Sequence, residues 1–187
     1  MTPSITYTED LIVRCQKQEH RAQLEVYKKY YKAMYNTALR IVKDSAEAED
    51  IMQEGFIKAF SKIHTFEGKS TFGAWIKKIV VNLSINAYNK RIKYTQVSYN
   101  DEFRNEITEG DGIGIIEEEE NKCKIQHILK KFELLKESYR VVLSLHLIEG
   151  YDYDEICEIL KLSPANCRTT ISRAKEQLRK IVSGNER

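Results

Sequence analysis

The chain has 187 residues, of which 42% are hydrophobic and 31% charged, and a formal net charge of +2. That composition suits a globular protein with one medium domain or two small ones. No stretch approaches about 18 consecutive apolar residues, so no membrane insertion is expected. The opening MTPSITYTED has no apolar run, so no signal peptide is expected either, and the location is read as cytoplasmic.

The distribution of charge says more than its total. Gly68 to Asn100 carries six bases and no acids, Asp101 to Glu120 carries nine acids and one base, and Lys161 to Lys180 carries six bases and one acid. Two basic blocks separated by an acidic one suggest two polyanion-binding surfaces joined by a spacer. The four cysteines (Cys15, Cys123, Cys157, Cys167) form no C-x-x-C pair and read as reduced thiols of a cytosolic protein. Cys123 and His127 are two ligand types at helical spacing without a second pair, so no metal is expected.

With two prolines and eight glycines, and no strand pattern, the chain reads as all-α. A first helix spans Asp10 to about Val42. Asp44 or Ser45 caps a second that runs to about Ile63. On it, Met52, Phe56, Ala59 and Ile63 point one way. Glu47, Asp50 and Glu54 fall within about 60° on the other side, with Ile57 beside them and Gln53 at the far edge. An acidic face with apolar company suits a basic protein partner; taken alone, it reads as a plain solvated surface.

A third helix runs from near Ser70 to Lys93, in the acid-free stretch "STFGAWIKKIVVNLSINAYNKR". Phe72, Trp75, Ile76, Ile79, Val80 and Leu83 form an apolar set, some of which must be core, and Trp75 alone reads as core. Lys77, Lys78, Asn82, Asn86 and the Lys90–Lys93 cluster remain. Rings for stacking, bases for phosphates and amides for exposed base edges are what single-stranded nucleic acid requires. The region 95–115 is acidic, glycine-bearing and aperiodic, and reads as a flexible tether between a domain at 1–94 and one at 116–187.

Helices resume near Ile116, over Ile125–Leu135 and Tyr139–Ile148, with Gly150 as a stop. In "YDYDEICEILKLSPANCRTTISRAKEQLRKIV" Asp152 and Glu155 have capping-box spacing. Lys161-Leu162-Ser163 is a short turn, and Ser163 caps a helix with Pro164 at its first position. Cys167, Ile171, Ala174, Leu178 and Ile181 make one apolar stripe. Asn166, Thr169, Ser172, Arg173 and Glu176 lie opposite, flanked by Arg168, Lys175 and Arg179. This is helix-turn-helix geometry, in which the outer face of the second helix enters a major groove and flanking bases hold phosphates.

In this order, "AEAEDIMQEGFIKAF", "FEGKSTFGAWIKKIVVNLSINAYNKRIK" and "ESYRVVLSLHLIEGYDYDEICEILKLSPANCRTTISRAKEQLRK" resemble regions 2.2, 2.3–2.4 and 4 of the bacterial RNA polymerase sigma factors, in the small extracytoplasmic-function (ECF) group. The resemblance covers roughly Asp10 to Arg179. It implies two helical domains on a flexible acidic tether and a transcription initiation factor with no catalytic residues or cofactor. Its partners would be core RNA polymerase and promoter DNA, with an anti-sigma factor as a further candidate. Carried over by position, Asp50, Gln53, Glu54 and Ile57 would dock on core polymerase. Trp75, Lys78, Asn82, Asn86 and Arg91 would serve strand opening at the −10 element. Arg168, Thr169, Ser172 and Arg173, with Lys175 on a phosphate, would bind the −35 element. Two positions depart from the family pattern: Lys136 stands where a proline often follows the leucine opening region 4, and Thr170 stands where many members have a base. A helix-turn-helix regulator that bound only duplex would leave the acidic face and the aromatic-basic segment without a role.

Overall fold

A computed structural model of the chain describes residues 3–97 and 128–184. Among them are helices and turns and no strand. The chain divides into two compact units, Met1–Ile92 and Lys93–Arg187. No helix among the described residues is long and apolar enough to cross a membrane.

The first unit holds α1 (Pro3–Gln16), α2 (His20–Val42), α3 (Ser45–Ser61), a 3₁₀ turn at Ile63–Thr65 and most of α4 (Phe72–Val97). The single helix expected from Asp10 to Val42 is two. The break falls at Gln18, whose φ of 61° is left-handed. Across it the Arg14 guanidinium donates to the Glu19 carboxylate, with Nε to Oε2 at 2.8 Å. No glycine or proline marks this corner. Asp44 is the cap of α3, accepting from the Glu47 N–H at 2.7 Å, and at α4 the Thr71 hydroxyl accepts the Ala74 N–H at 3.2 Å. α4 continues through 95–97, which the sequence assigns to the tether, and 98–115 lie outside the described residues.

α3 and α4 cross closely. A Cβ on Gly55 would sit 2.7 Å from Val80 Cγ2, so the contact needs a residue with no side chain. Around it Met52, Phe56, Ala59, Ile76, Val80, Val81 and Ile85 are buried, against Val26, Met34, Ala38 and Ile41 of α2.

In the second unit residues 128–133 are helical, followed by α5 (Glu137–Leu143), a π-helical turn (Ser144–Ile148), α6 (Tyr153–Leu160) and α7 (Pro164–Val182). The helix expected over Tyr139–Ile148 therefore changes type at Ser144, and Gly150 (φ 81°) provides the stop. Asp152 accepts from the Glu155 N–H at 2.8 Å and Glu155 accepts from the Asp152 N–H at 3.0 Å, closing the capping box. Leu135, Val141, Val142, Leu143, Leu145, Ile156, Cys167, Ile171, Ala174 and Ile181 form the core. Cys15, Cys157 and Cys167 are free thiols. Burial pushes Cys15 up to about 11, and burial together with a hydrogen bond to Cys157 does the same to Cys167.

The α3–α4 crossing yields a test. Gly55→Ala should destabilise the first unit, because an overpacked core costs about 1–3 kcal/mol against the about 1 kcal/mol that alanine gains over glycine in a helix. In a Val80→Ala background the clash is gone and the same substitution should stabilise. Denaturant unfolding followed by fluorescence of Trp75, the only tryptophan, reads this unit. An unchanged sign in the two backgrounds would mean the crossing adjusts at no cost.

Candidate nucleic-acid interface

Three polar helix faces are left over once the cores are filled. The first is on α3. Asp50, Gln53, Glu54 and Ile57 are all exposed, opposite the side that carries Met52, Phe56 and Ala59. Ile57 is 70% exposed, which is unusual for a β-branched apolar residue with no partner in the fold. Glu54 pairs with Lys58 one turn on, at 2.6 Å, and Gln53 donates to Glu49 at 3.3 Å. Asp50 makes no hydrogen bond or ion pair among the described residues.

The second face is on α4. Phe72, Ile76 and Val80 of the apolar set are buried, whereas Trp75, Ile79 and Leu83 are half-buried. Trp75 is thus neither core nor free. It packs on Phe66 and Phe72, both centroids at 5.5 Å, and Phe72 in turn meets Tyr30 at 5.7 Å. Because α4 is unbroken here, Trp75, Lys78, Asn82 and Asn86 recur at steps of three and four and fall within about 80° of one another. Lys78, Asn82 and Asn86 are exposed and make no hydrogen bond or ion pair among the described residues. Lys93 continues the same stripe and is also exposed. Arg91 is not part of it. Its Nη1 donates to the Val42 carbonyl at 2.6 Å, its guanidinium lies 3.8 Å from Glu47 and 6.0 Å from the Tyr88 ring centroid. Arg91 ties α4 to the junction of α2 and α3. Sequence reasoning passed over Phe66, the third ring beside Trp75; its place just ahead of the acid-free stretch was the available signal.

The third face is on α7. After α6 the chain turns at Lys161, whose φ of 54° is left-handed, and the Leu162 N–H donates to the Cys157 carbonyl at 3.0 Å. Ser163 accepts from the Asn166 N–H at 3.3 Å, with Pro164 at the first helical position. The α7 apolar stripe is inward as its spacing requires: Cys167, Ile171, Ala174 and Ile181 are buried and Leu178 half-buried. Outward, Thr169 and Ser172 sit at the middle, Arg168 on one flank and Arg173 on the other, all exposed. The Thr169 hydroxyl donates to the Ala165 carbonyl at 2.8 Å and keeps its lone pairs for a donor. Arg168, Ser172 and Arg173 make no hydrogen bond or ion pair among the described residues. Lys175 is half-buried, and its Nζ lies 3.0 Å from His146 Nε2. Glu176 pairs with Lys180 at 2.8 Å, and that lysine holds its carboxyl below the usual range.

Among the described residues no three His, Cys, Asp or Glu side chains converge as a metal site, and Cys123 and His127 lie outside them. The three faces offer charge, hydrogen-bonding groups and rings at the surface.

Residues 26–93 match the Sigma-70 region 2 family and residues 125–178 match Sigma-70, region 4. Over 182 residues the chain is 30% identical to the RNA polymerase sigma-H factor of Pseudomonas aeruginosa, covering 93% of each chain. It is also 30% identical over 182 residues to the ECF RNA polymerase sigma factor SigW of Bacillus subtilis, covering 90% of this chain and 93% of that one. Its fold is similar to that of the sigma factor RpoE in a complex with the anti-sigma factor NepR from Bartonella quintana (TM-score 0.58, 20% identity, 87% of this chain and 97% of that one). It is similar as well to CnrH in complex with the cytosolic domain of CnrY (TM-score 0.56, 18% identity, 96% and 99% covered). The chain belongs to the extracytoplasmic-function RNA polymerase sigma factors, initiation factors that direct RNA polymerase to particular promoters.

Proposed function

We propose that the two units divide promoter recognition. The first docks on core RNA polymerase through Asp50, Gln53, Glu54 and Ile57, and opens the −10 element with the α4 stripe. The second reads the −35 duplex with the outer face of α7. The acidic stretch between them serves as the tether. The reading rests above all on the α4 stripe: Trp75, Lys78, Asn82 and Asn86 aligned on one exposed, acid-free side of a continuous helix.

The work is done by binding and needs no covalent step. A base drawn out of the stack loses its neighbours at a cost of a few kcal/mol. Capture by a ring and by amide groups offsets that, since stacking on an aromatic side chain contributes about 1–3 kcal/mol per base. An asparagine amide offers both donor and acceptor to a base edge. Lys78 and Lys93 follow the backbone charge. Arg91, held by Val42 and Glu47, acts by fixing α4 rather than by reaching for phosphate. On α7, Arg173 has the free guanidinium fork that a guanine edge accepts. The protein acts in the cytoplasm, where polymerase and promoters are. By likeness to the sigma factor RpoE, solved with the anti-sigma factor NepR, sequestration by such a factor is a means of control.

Three measurements test these parts separately. Reversing charge at Asp50 and Glu54 should weaken binding to core polymerase roughly tenfold or more, as like charges meet at an interface, with far-UV circular dichroism unchanged. Undiminished affinity would remove the docking assignment. Asn82→Ala should leave folding and polymerase binding intact but impair open-complex formation, read by permanganate footprinting. On a template already unpaired at −10 it should be partly rescued, with discrimination at the captured base still reduced. Normal melting of a paired template by Asn82→Ala would leave that residue a solvated surface group. For the second unit, Arg173→Ala should cost about 1–3 kcal/mol of promoter affinity and relax preference at one −35 position; an equal loss on every sequence would make Arg173 a phosphate contact instead.

A further inference from the structure

Lys175 differs from Arg168 and Arg173 of α7 in being held by residues outside its own helix. Its Nζ is 3.0 Å from His146 Nε2 and 5.9 Å from the centroid of the Tyr153 ring. His146 meets Tyr153 edge-on, with centroids at 5.1 Å, and its Nδ1 lies 3.1 Å from the Tyr151 carbonyl oxygen. The chemistry of the partners decides the tautomer. A lysine ammonium can only donate, so Nε2 must accept and carries no proton. A carbonyl can only accept, so the ring proton is on Nδ1 and points at Tyr151. The two demands agree, and both are met by one neutral imidazole.

The ring is placed by the π-helical turn. The Glu149 N–H donates to the Ser144 carbonyl at 3.0 Å and the Tyr151 N–H to the Leu145 carbonyl at 3.0 Å. Isolated π turns inside helices are uncommon and concentrate at functional sites. Here the turn brings a residue 29 positions away in sequence onto the flank of α7. Lys175 spends one of its three N–H donors on His146 and retains two. It lies on the same flank as Arg168, beside the face that Thr169 and Ser172 occupy.

We infer that His146 is a positioning residue for DNA binding: with Tyr153 it holds the Lys175 ammonium on the flank of α7, where its two remaining donors meet a backbone phosphate. This rests on the reading of α7 as the duplex-binding helix. A free lysine loses rotamer freedom when it engages a phosphate. One already fixed by a hydrogen bond and a ring loses less, and the difference appears as affinity. The contact is with the sugar–phosphate backbone, so it raises affinity for all sequences alike.

The experiment uses the full chain and a short labelled duplex of mixed sequence, with fluorescence anisotropy over a series of salt concentrations. Lys175→Ala should weaken binding and make the plot of log K against log salt shallower by about 0.9, the loss of one phosphate contact. His146→Phe keeps a ring against Tyr153 but removes the acceptor. It should weaken binding about 2- to 10-fold, whereas His146→Gln, which restores an acceptor, should recover most of that loss. In a Lys175→Ala background His146→Phe should have no further effect. An equal loss from His146→Phe with and without Lys175 would overturn the inference, as would wild-type affinity in His146→Phe alongside a defect in Lys175→Ala. If His146→Phe unfolds, by circular dichroism, His146→Gln carries the same comparison, and a loss in it equal to that of Lys175→Ala counts against the proposal. The underlying reading fails separately: Arg173→Ala and Lys175→Ala would then both bind as the unaltered chain does.

Discussion

The crossing of α3 and α4 at Gly55 and Val80 sets the terms for the first unit. Two helices can approach this closely only where one of them has no side chain, and the reward is a dense shared core of Met52, Phe56, Ala59, Ile76 and Val80. Helical periodicity then decides the rest. Once Gly55 and Phe56 face α4, Asp50, Gln53 and Ile57 must face away from it. Once Ile76, Val80 and Val81 face inward, Lys78, Asn82 and Asn86 must be outward. One packing contact therefore exposes an acidic face on one helix and an acid-free polar stripe on the next, with no further device needed to keep the two apart.

The second unit solves a different problem. α6 has only 8 residues and α7 must leave its polar side bare. Helices this short are marginal in water alone. Local chemistry compensates at the ends: a reciprocal capping box opens α6, a left-handed Lys161 closes it, and Ser163 with Pro164 starts α7. A good N-cap contributes about 1 kcal/mol. Burial of Ile156, Cys167, Ile171 and Ala174 supplies most of the remainder. None of these groups lies on the outer face of α7, so that face can change its side chains without loss of the scaffold.

Much of this was legible in the sequence because the signals are local. Asp44, Ser163-Pro164 and the Asp152/Glu155 pair are cap residues whose roles follow from their own side chains, and the α7 stripe follows from spacing. What was not legible depended on distance or on backbone. The corner between α1 and α2 uses Gln18 in a left-handed conformation, which no residue preference announces. α4 runs into the expected tether because nothing in Thr95, Gln96 and Val97 forbids a helix. Composition alone could not tell that Arg91 is spent on Val42 and Glu47, or that Lys175 rests on His146, since the partners lie 49 and 29 residues away. The basic blocks correctly mark where positive charge gathers, but not which charges remain available.

Availability is also what ranks the candidate residues. Surface ion pairs contribute little, typically about 0.3–0.5 kcal/mol for a pair one helical turn apart. The Glu54–Lys58 pair is of this kind, with both groups about half exposed, so docking could draw Glu54 away at small cost. The Arg91 bond to the Val42 carbonyl is different. It is partly buried and satisfies a carbonyl at the C-terminal end of α2, so moving that guanidinium onto DNA would leave an acceptor unpaired and loosen the helix that carries the stripe. Lys175 falls between the two: it is held, yet keeps donors to spare. Under the proposed function, that order makes Asp50, Lys78, Asn82, Asn86 and Arg173 the groups that would meet partners directly, Glu54 and Lys175 groups that would serve both the fold and a partner, and Arg91 a group that would serve partners only through the helix it fixes.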